Sequence, residues 1–182
     1  MNNIISFDLQ TKKSFEDVGG KKAIHKMGIS VASLFYYERY QIKQFLEQDS
    51  ESLIFELKNS RYIFGIGLHK FIFKLLKAYS DYDLYSLPRI DLIEYFKRKL
   101  RVKNPLEGLF LGTLGFKKKF YNETYCPKLF KSGNINEIRK ISKKNVKDLH
   151  GLLHFGLKHN FVYFIDPKGL RWKIPVNWHL EK

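Results

Sequence analysis

Ile5-Ser6-Phe7-Asp8-Leu9-Gln10-Thr11, ISFDLQT, is the stretch from which the rest of the chain can be organised. Apolar and polar residues alternate with a period of two, the signature of a strand with one face in a core. Ile5, Phe7 and Leu9 take one face, so Ser6, Asp8 and Gln10 share the other. An acid and an amide therefore point the same way from what reads as a buried strand, Ile4 to Leu9.

Beyond it lies a polar loop, Lys12 to Lys26, with Gly19-Gly20 inside. Then come two β-branched and aromatic runs, Gly28 to Tyr37 and Tyr40 to Leu46, joined by a turn at Glu38-Arg39. Three meandering strands are expected. Asp49-Ser50-Glu51-Ser52 offers caps to a helix through Lys58, and Tyr62-Ile63-Phe64-Gly65 suits an interior strand reached by a crossover. Leu68, Phe71, Ile72, Leu75 and Leu76 form a helical stripe up to Tyr79, with Lys70, Lys74 and Lys77 opposite. Leu87-Pro88-Arg89-Ile90 fits a short edge strand, and Asp91 to Glu94 fits a capping box opening a helix to about Leu100. Asp91 thus has a structural role.

Further helices are expected at Pro105 to Leu111, at Pro127 to Lys131 and at Ile135 to Lys158, the last bent near Lys144 to Val146. A hairpin of Phe161 to Asp166 and Leu170 to Pro175 closes the chain, turning at Asp166-Pro167-Lys168-Gly169. The order of elements describes an α/β, ribonuclease-H-like mixed sheet, three antiparallel strands plus parallel ones, flanked by helices and followed by a C-terminal β-hairpin.

Composition bounds the rest. The 182 residues fit a single domain, residues 1–182, and 44% apolar content supplies a core without disulfides or structural metal. No basic segment leads into an apolar run and cleavage site, and no window approaches the ~18 apolar residues of a membrane span, so secretion and membrane spanning are not expected. The single cysteine, Cys126, excludes an intramolecular disulfide and a cysteine-based zinc cluster, and a cytoplasmic location is the simplest fit. Against 18 Asp and Glu stand 33 Lys and Arg, a net charge of +15 that attracts polyanions.

The blocks FDLQTKKSFEDVGG (residues 7–20), HKMGISVA (25–32), LPRIDLIEYF (87–96), LEGLFLGTLG (106–115) and HFGLKHNFVYF (154–164) resemble, in order and spacing, the ribonuclease-H-like DEDD exonuclease superfamily. The likeness is greatest to the predicted exonuclease domains associated with bacterial DEAD/DEAH helicases, and it spans Ile4 to about Trp178. Active members place four carboxylates around two divalent cations, whose mutual repulsion only hard anionic oxygens can offset. The resemblance puts those carboxylates at Asp8, Gln10, Ile72 and Asn145. Asp8 alone keeps its acid. Gln10 stands for Glu, Ile72 for the Asp of a Gly-Phe-Asn-x-x-x-Phe-Asp-like motif read here as Gly65 to Ile72, and Asn145 for the Asp of a Lys-Gln-Asp-Val-like motif read as Lys143-Lys144-Asn145-Val146.

The resemblance with these departures implies a catalytically inactive exonuclease-like domain that binds DNA or RNA through a basic groove and needs no cofactor. Replacing three carboxylates removes the repulsion a phosphate backbone would meet. Lys117, Lys118 and Lys119, next to Phe120 and Tyr121, and Lys143, Lys144 and Lys147 are the expected phosphate contacts. Two alternatives stand beside this. One is an interaction module whose Tyr- and Phe-rich surface docks on a helicase or repair factor. The other is a magnesium- or manganese-dependent 3′–5′ exonuclease with a remodelled site, for which Asp8 and a shifted carboxylate at Asp148 are the metal candidates. His150 and His154, four apart on one helix, lack the intervening glutamate of a zinc-protease motif and read as an ordinary helical pair. Cys126 reads as a small buried hydrophobe.

Overall fold

The computed structural model describes residues 3–100, 102, 104–118 and 123–178. Five strands make the main sheet: β1 (Ile4–Thr11), β2 (Ile29–Tyr36), β3 (Gln41–Phe45), β4 (Tyr62–Gly65) and β5 (Arg89–Asp91), in the order β3-β2-β1-β4-β5. β1, β2 and β3 pair antiparallel, whereas β1, β4 and β5 run parallel. The meander and the crossover expected from the sequence are both present. The helix between β3 and β4, α1, spans Ser50–Lys58.

The period-two pattern of β1 divides the interior. Ile5, Phe7 and Leu9 enter one cluster with Leu53 and Leu57 of α1 and with Phe73, Leu75 and Leu76 of the short helix α2 (Phe73–Leu76). On the other side, Ile4, Tyr62, Phe64 and Ile90 pack under Phe96 of α3 (Leu92–Leu100), Leu109 and Phe110 of α4 (Leu106–Leu114), and Leu149, Leu152 and Leu153 of α6 (Ile135–His159). Helix α5 (Tyr125–Lys131) places Cys126 in a smaller cluster with Val31, Ile138 and Ile141. Among the described residues no helix is long and apolar enough to cross a membrane.

Two local expectations need correction. The helix foreseen from Leu68 to Tyr79 begins instead as one wide turn, Leu68–Ile72, in which the Ile72 amide reaches back five residues to the Gly67 carbonyl, and α2 ends at Leu76. Asp91 caps the start of this turn: its carboxylate accepts from the Gly67 and His69 amides at 3.1 and 3.2 Å as well as from Ile93 at the start of α3. The first amides of a helix have no partner within it, and here a neighbouring strand supplies one. The second correction is α6, which runs 25 residues without a break at Lys144 to Val146.

The C-terminal hairpin, β6 (Phe161–Ile165) and β7 (Arg171–Pro175), is a separate two-stranded sheet. Helix α4 lies along the outer edge of β6 and covers it. Gly108 and Gly112 make that approach possible: a Cβ at Gly112 would stand 2.8 Å from the Tyr163 carbonyl oxygen, and one at Gly108 would stand 2.2 Å from that of Ile165.

Candidate functional site

Asp8 lies where α6 crosses the sheet. Three small buried side chains, Ser6 on β1, Ser33 on β2 and Ser142 on α6, allow the helix to come close. Asp8 is paired across the strands with Ser33, and Ser33 with Gln44, so the three form a polar row under α6. Gln44 Nε2 bonds both Ser33 Oγ at 3.0 Å and the Arg139 carbonyl of α6 at 2.9 Å. Ser33 and Ser142 hydroxyls are 2.8 Å apart, and Ser142 Oγ donates to Asp8 Oδ2 at 2.7 Å. Each hydroxyl has one proton, so the chain Gln44, Ser33, Ser142 runs donor to acceptor toward Asp8.

The Asp8 carboxylate also accepts from Gln10 Nε2 on both oxygens, at 3.1 and 2.9 Å, and from Asn145 Nδ2 at 3.1 Å. An ionised carboxylate offers about four lone-pair sites. Here four hydrogen bonds use them. Burial raises the Asp8 pKa above its ordinary value of 3.8, while bonds from Gln10, Ser142 and Asn145 and the charge of Lys118 pull against that rise.

Asn145 is oriented by its two neighbours. Its amide nitrogen faces Asp8, which has only acceptors, and its oxygen accepts from Lys118 Nζ at 2.9 Å. Lys118 continues to Asp148 Oδ2 at 2.7 Å, and these two side chains are only 4% and 10% exposed. Lys144, 65% exposed, binds the same carboxylate from the surface at 3.0 Å. Burial depresses the Lys118 pKa, opposed by the bond and charge of Asp148 and by the charge of Asp8. Acid, amide, ammonium and acid thus form a line of alternating acceptors and donors.

Above this line opens a cleft of about 840 Å³. All four positions singled out by motif, Asp8, Gln10, Ile72 and Asn145, line it. Ile72 is 3% exposed and contributes hydrocarbon to a wall shared with Phe71, Phe15, Ile24 and Met27. Lys21, Lys70 and Lys74 stand on the cleft and are exposed, the last two four residues apart on adjoining turns. Four lysines, counting Lys118, face two acids, Asp8 and Glu123, an excess of two positive charges in the lining.

The expected lysines fall in different places. Lys118 is buried in an ion pair rather than on the surface. Lys117 is exposed, with its ammonium 3.9 Å from Glu107, and Lys119 lies outside the described residues. Lys143 and Lys147 are exposed, but each stands two residues from Asn145 and therefore about 160° around α6, away from the cleft. Lys21, Lys70 and Lys74 were not among the expected contacts; the stripe that marked Lys70 and Lys74 as opposite the core was the available signal. His150 stacks on Phe35 with ring centroids 3.9 Å apart, while His154 Nδ1 bonds the Tyr37 hydroxyl at 3.1 Å. Among the described residues no three His, Cys, Asp or Glu side chains are grouped to hold a metal ion.

No protein-family model matches the chain, and a search of curated proteins finds no match either.

Proposed function

We propose that this chain is an exonuclease-like domain of ribonuclease-H type that does not cut and that holds nucleic acid in the lysine-rimmed cleft above Asp8. The strand order β3-β2-β1-β4-β5, with the acid on the central strand, supports the fold reading. The observation that carries the functional reading is the closure of Asp8: its lone pairs are engaged by Gln10, Ser142 and Asn145, and a lysine ammonium already lies beyond them. This donor set does not fit a pair of divalent ions. Two amides and an isoleucine replace the needed anionic oxygens, and Asp148 is bound by two lysines. A phosphate entering the cleft meets Lys21, Lys70 and Lys74 without the field of clustered carboxylates.

Fluorescence anisotropy with labelled single- and double-stranded DNA and RNA, in the presence of EDTA, tests this. Binding at low salt is expected, and neutralising Lys21, Lys70 and Lys74 to Gln should flatten the single-strand salt slope by about 2. A companion digestion assay with magnesium or manganese should show no degradation. Metal-dependent cleavage lost in Asp8→Ala would overturn the proposal in favour of a remodelled nuclease using Asp148.

One observation favours the interaction-module reading. Tyr40, 78% exposed at a positive φ of 52°, closes a ring cluster with Phe35 and His150 at the β2–β3 turn, on residues that do not line the cleft. If nucleic acid does not bind, that cluster becomes the first surface to test against a helicase or repair protein.

A further inference from the structure

The far end of α6 and the hairpin build a second surface, distinct from the cleft. Phe155 and His159, one turn apart on α6, meet Phe161 and Tyr163 of β6. Ring centroids are 4.5 Å apart for Phe155 and His159, 5.7 Å for Phe155 and Phe161, and 5.2 Å for Phe161 and Tyr163. His159 is exposed and the other three rings are half-buried. Strand pairing sets Arg171 opposite Ile165 and Lys173 opposite Tyr163, so both cations rise from the face that carries these rings.

Neither cation is loosely held. The Arg171 guanidinium carbon lies 3.7 Å from the Tyr163 ring centroid, and Nη2 donates to the Gly112 carbonyl at 2.9 Å. That carbonyl is in the last turn of α4, where intrahelical donors have run out. Lys173 Nζ lies 4.0 Å over the Phe161 ring. Both residues remain exposed, and among the described residues neither is ion-paired with a carboxylate. An exposed arginine normally loses rotamer entropy when it binds. Here ring and carbonyl already hold the guanidinium in place while the side chain stays exposed to solvent.

We infer that this patch is a binding site for single-stranded nucleic acid: a base stacks on the Arg171 guanidinium, backed by Tyr163, and Lys173 takes a neighbouring phosphate. A flat cation backed by a ring matches the π-face of any unpaired base, which a duplex keeps inside its stack. An acidic peptide would use only the N–H edge, part of which Gly112 occupies. The inference shares its ligand class with the proposed function but uses none of the cleft residues. Along α6, Phe155 stands about 15 Å from Asn145.

The test compares the parent, Arg171→Leu/Lys173→Met and Lys21→Gln/Lys70→Gln/Lys74→Gln in anisotropy titrations with labelled oligothymidylate and a duplex. The leucine and methionine keep hydrocarbon over Tyr163 and Phe161. The hairpin variant should bind the single strand at least about tenfold more weakly, with the salt slope flatter by about 0.7, and should bind duplex like the parent. Arg171→Lys, which retains charge but not the plane, should weaken single-strand binding without changing the slope, and this arm decides the matter if the double variant fails to fold. If the hairpin variants bind the single strand like the parent, the inference is overturned whatever the cleft variant does. If only the cleft variant binds like the parent, the cleft reading fails and this one stands. No single-strand binding by the parent, or binding only to phosphatidylserine vesicles through Leu170 and Trp172, two exposed apolar side chains of the hairpin, also overturns it.

Discussion

Replacing Lys118 by Met gives the sharpest test of the site. The substitution keeps the aliphatic stem and removes an ammonium whose side chain is 4% exposed, leaving Asp148, 10% exposed, without its 2.7 Å partner. Breaking a buried ion pair from one side costs about 3–5 kcal/mol, because the remaining charge stays desolvated. Lys144 still reaches Asp148 at 3.0 Å, but it is 65% exposed, and such surface contacts contribute only about 0–1 kcal/mol. The lower end, about 3 kcal/mol, is therefore expected. For a chain of this length that lowers Tm by roughly 6–12 °C. Lys118→Met/Asp148→Leu should recover much of the loss, since replacing both partners by apolar groups is close to neutral, giving a coupling of about 2 kcal/mol in a double-mutant cycle. Urea denaturation of parent, singles and double measures all four corners. Manganese should also raise the Tm of Lys118→Met and not that of the parent, because the Asn145 and Asp148 oxygens then lack their internal cation. A Lys118→Met variant within about 1 kcal/mol of the parent would refute the reasoning.

Other outcomes follow from the same geometry. Burial raises the Asp8 pKa above 3.8, so the native state keeps a proton that the unfolded chain releases; this contribution is complete below the unfolded value and is lost as pH rises through the folded one. Asp8→Asn should accordingly gain stability relative to the parent as pH climbs from about 4 toward neutrality in denaturation series, and parallel profiles would show that Asp8 titrates normally. Gly112→Ala drives a methyl to 2.8 Å from the Tyr163 carbonyl and should cost about 1–3 kcal/mol, whereas Gly151→Ala, whose methyl meets Leu114 at an ordinary 3.5 Å, should be neutral or stabilising. His150→Phe should keep stability at neutral pH, because the imidazole stacks on Phe35, its Nδ1 is buried without a partner among the described residues, and burial, with the nearby His154, has moved its pKa down to about 4. A loss above about 2 kcal/mol on denaturation would reveal a bond that phenylalanine cannot make.

Local patterns were readable where one element's chemistry decides its structure. The alternation in β1 placed Asp8 and Gln10 on one face, and the turn at Asp166 to Gly169 marked the hairpin, because both signals come from residues adjacent in sequence. The stripe after Gly67 misled, since it gave no sign that the element opens as a wide turn capped by Asp91, more than twenty residues away. Lys118 misled for the same reason. In sequence it belongs to a run of three lysines, the usual mark of a solvated loop, whereas its partners Asn145 and Asp148 lie 27 and 30 positions on. Lys143 and Lys147 were close to Asn145 along the chain, but on a helix a spacing of two residues separates side chains instead of grouping them.

The two amides at this site have a physical reason beyond the loss of acids. Asn145 must satisfy Asp8 on one side and the Lys118 ammonium on the other, which requires a donor and an acceptor on one short side chain. Aspartate there would supply two acceptors and set a second negative charge beside Asp8, at a distance where like charges force one carboxyl to keep its proton. Glutamate at position 10 would face Asp8 in the same way, because Gln10 Nε2 is the donor to both Asp8 oxygens. With amides in place, Asp8 is met by neutral donors and Asp148 by Lys118 and Lys144, without an added ion. Asp8 persists in this arrangement as the acceptor on which strand and helix converge, since Gln10 reaches it from β1 and Ser142 and Asn145 reach it from α6. Restoring the acid at position 10 or 145 would break a donor contact and add an unbalanced charge, and Ile72→Asp would bury one in a hydrocarbon wall, so single restorations should destabilise the fold before they could assemble a metal site.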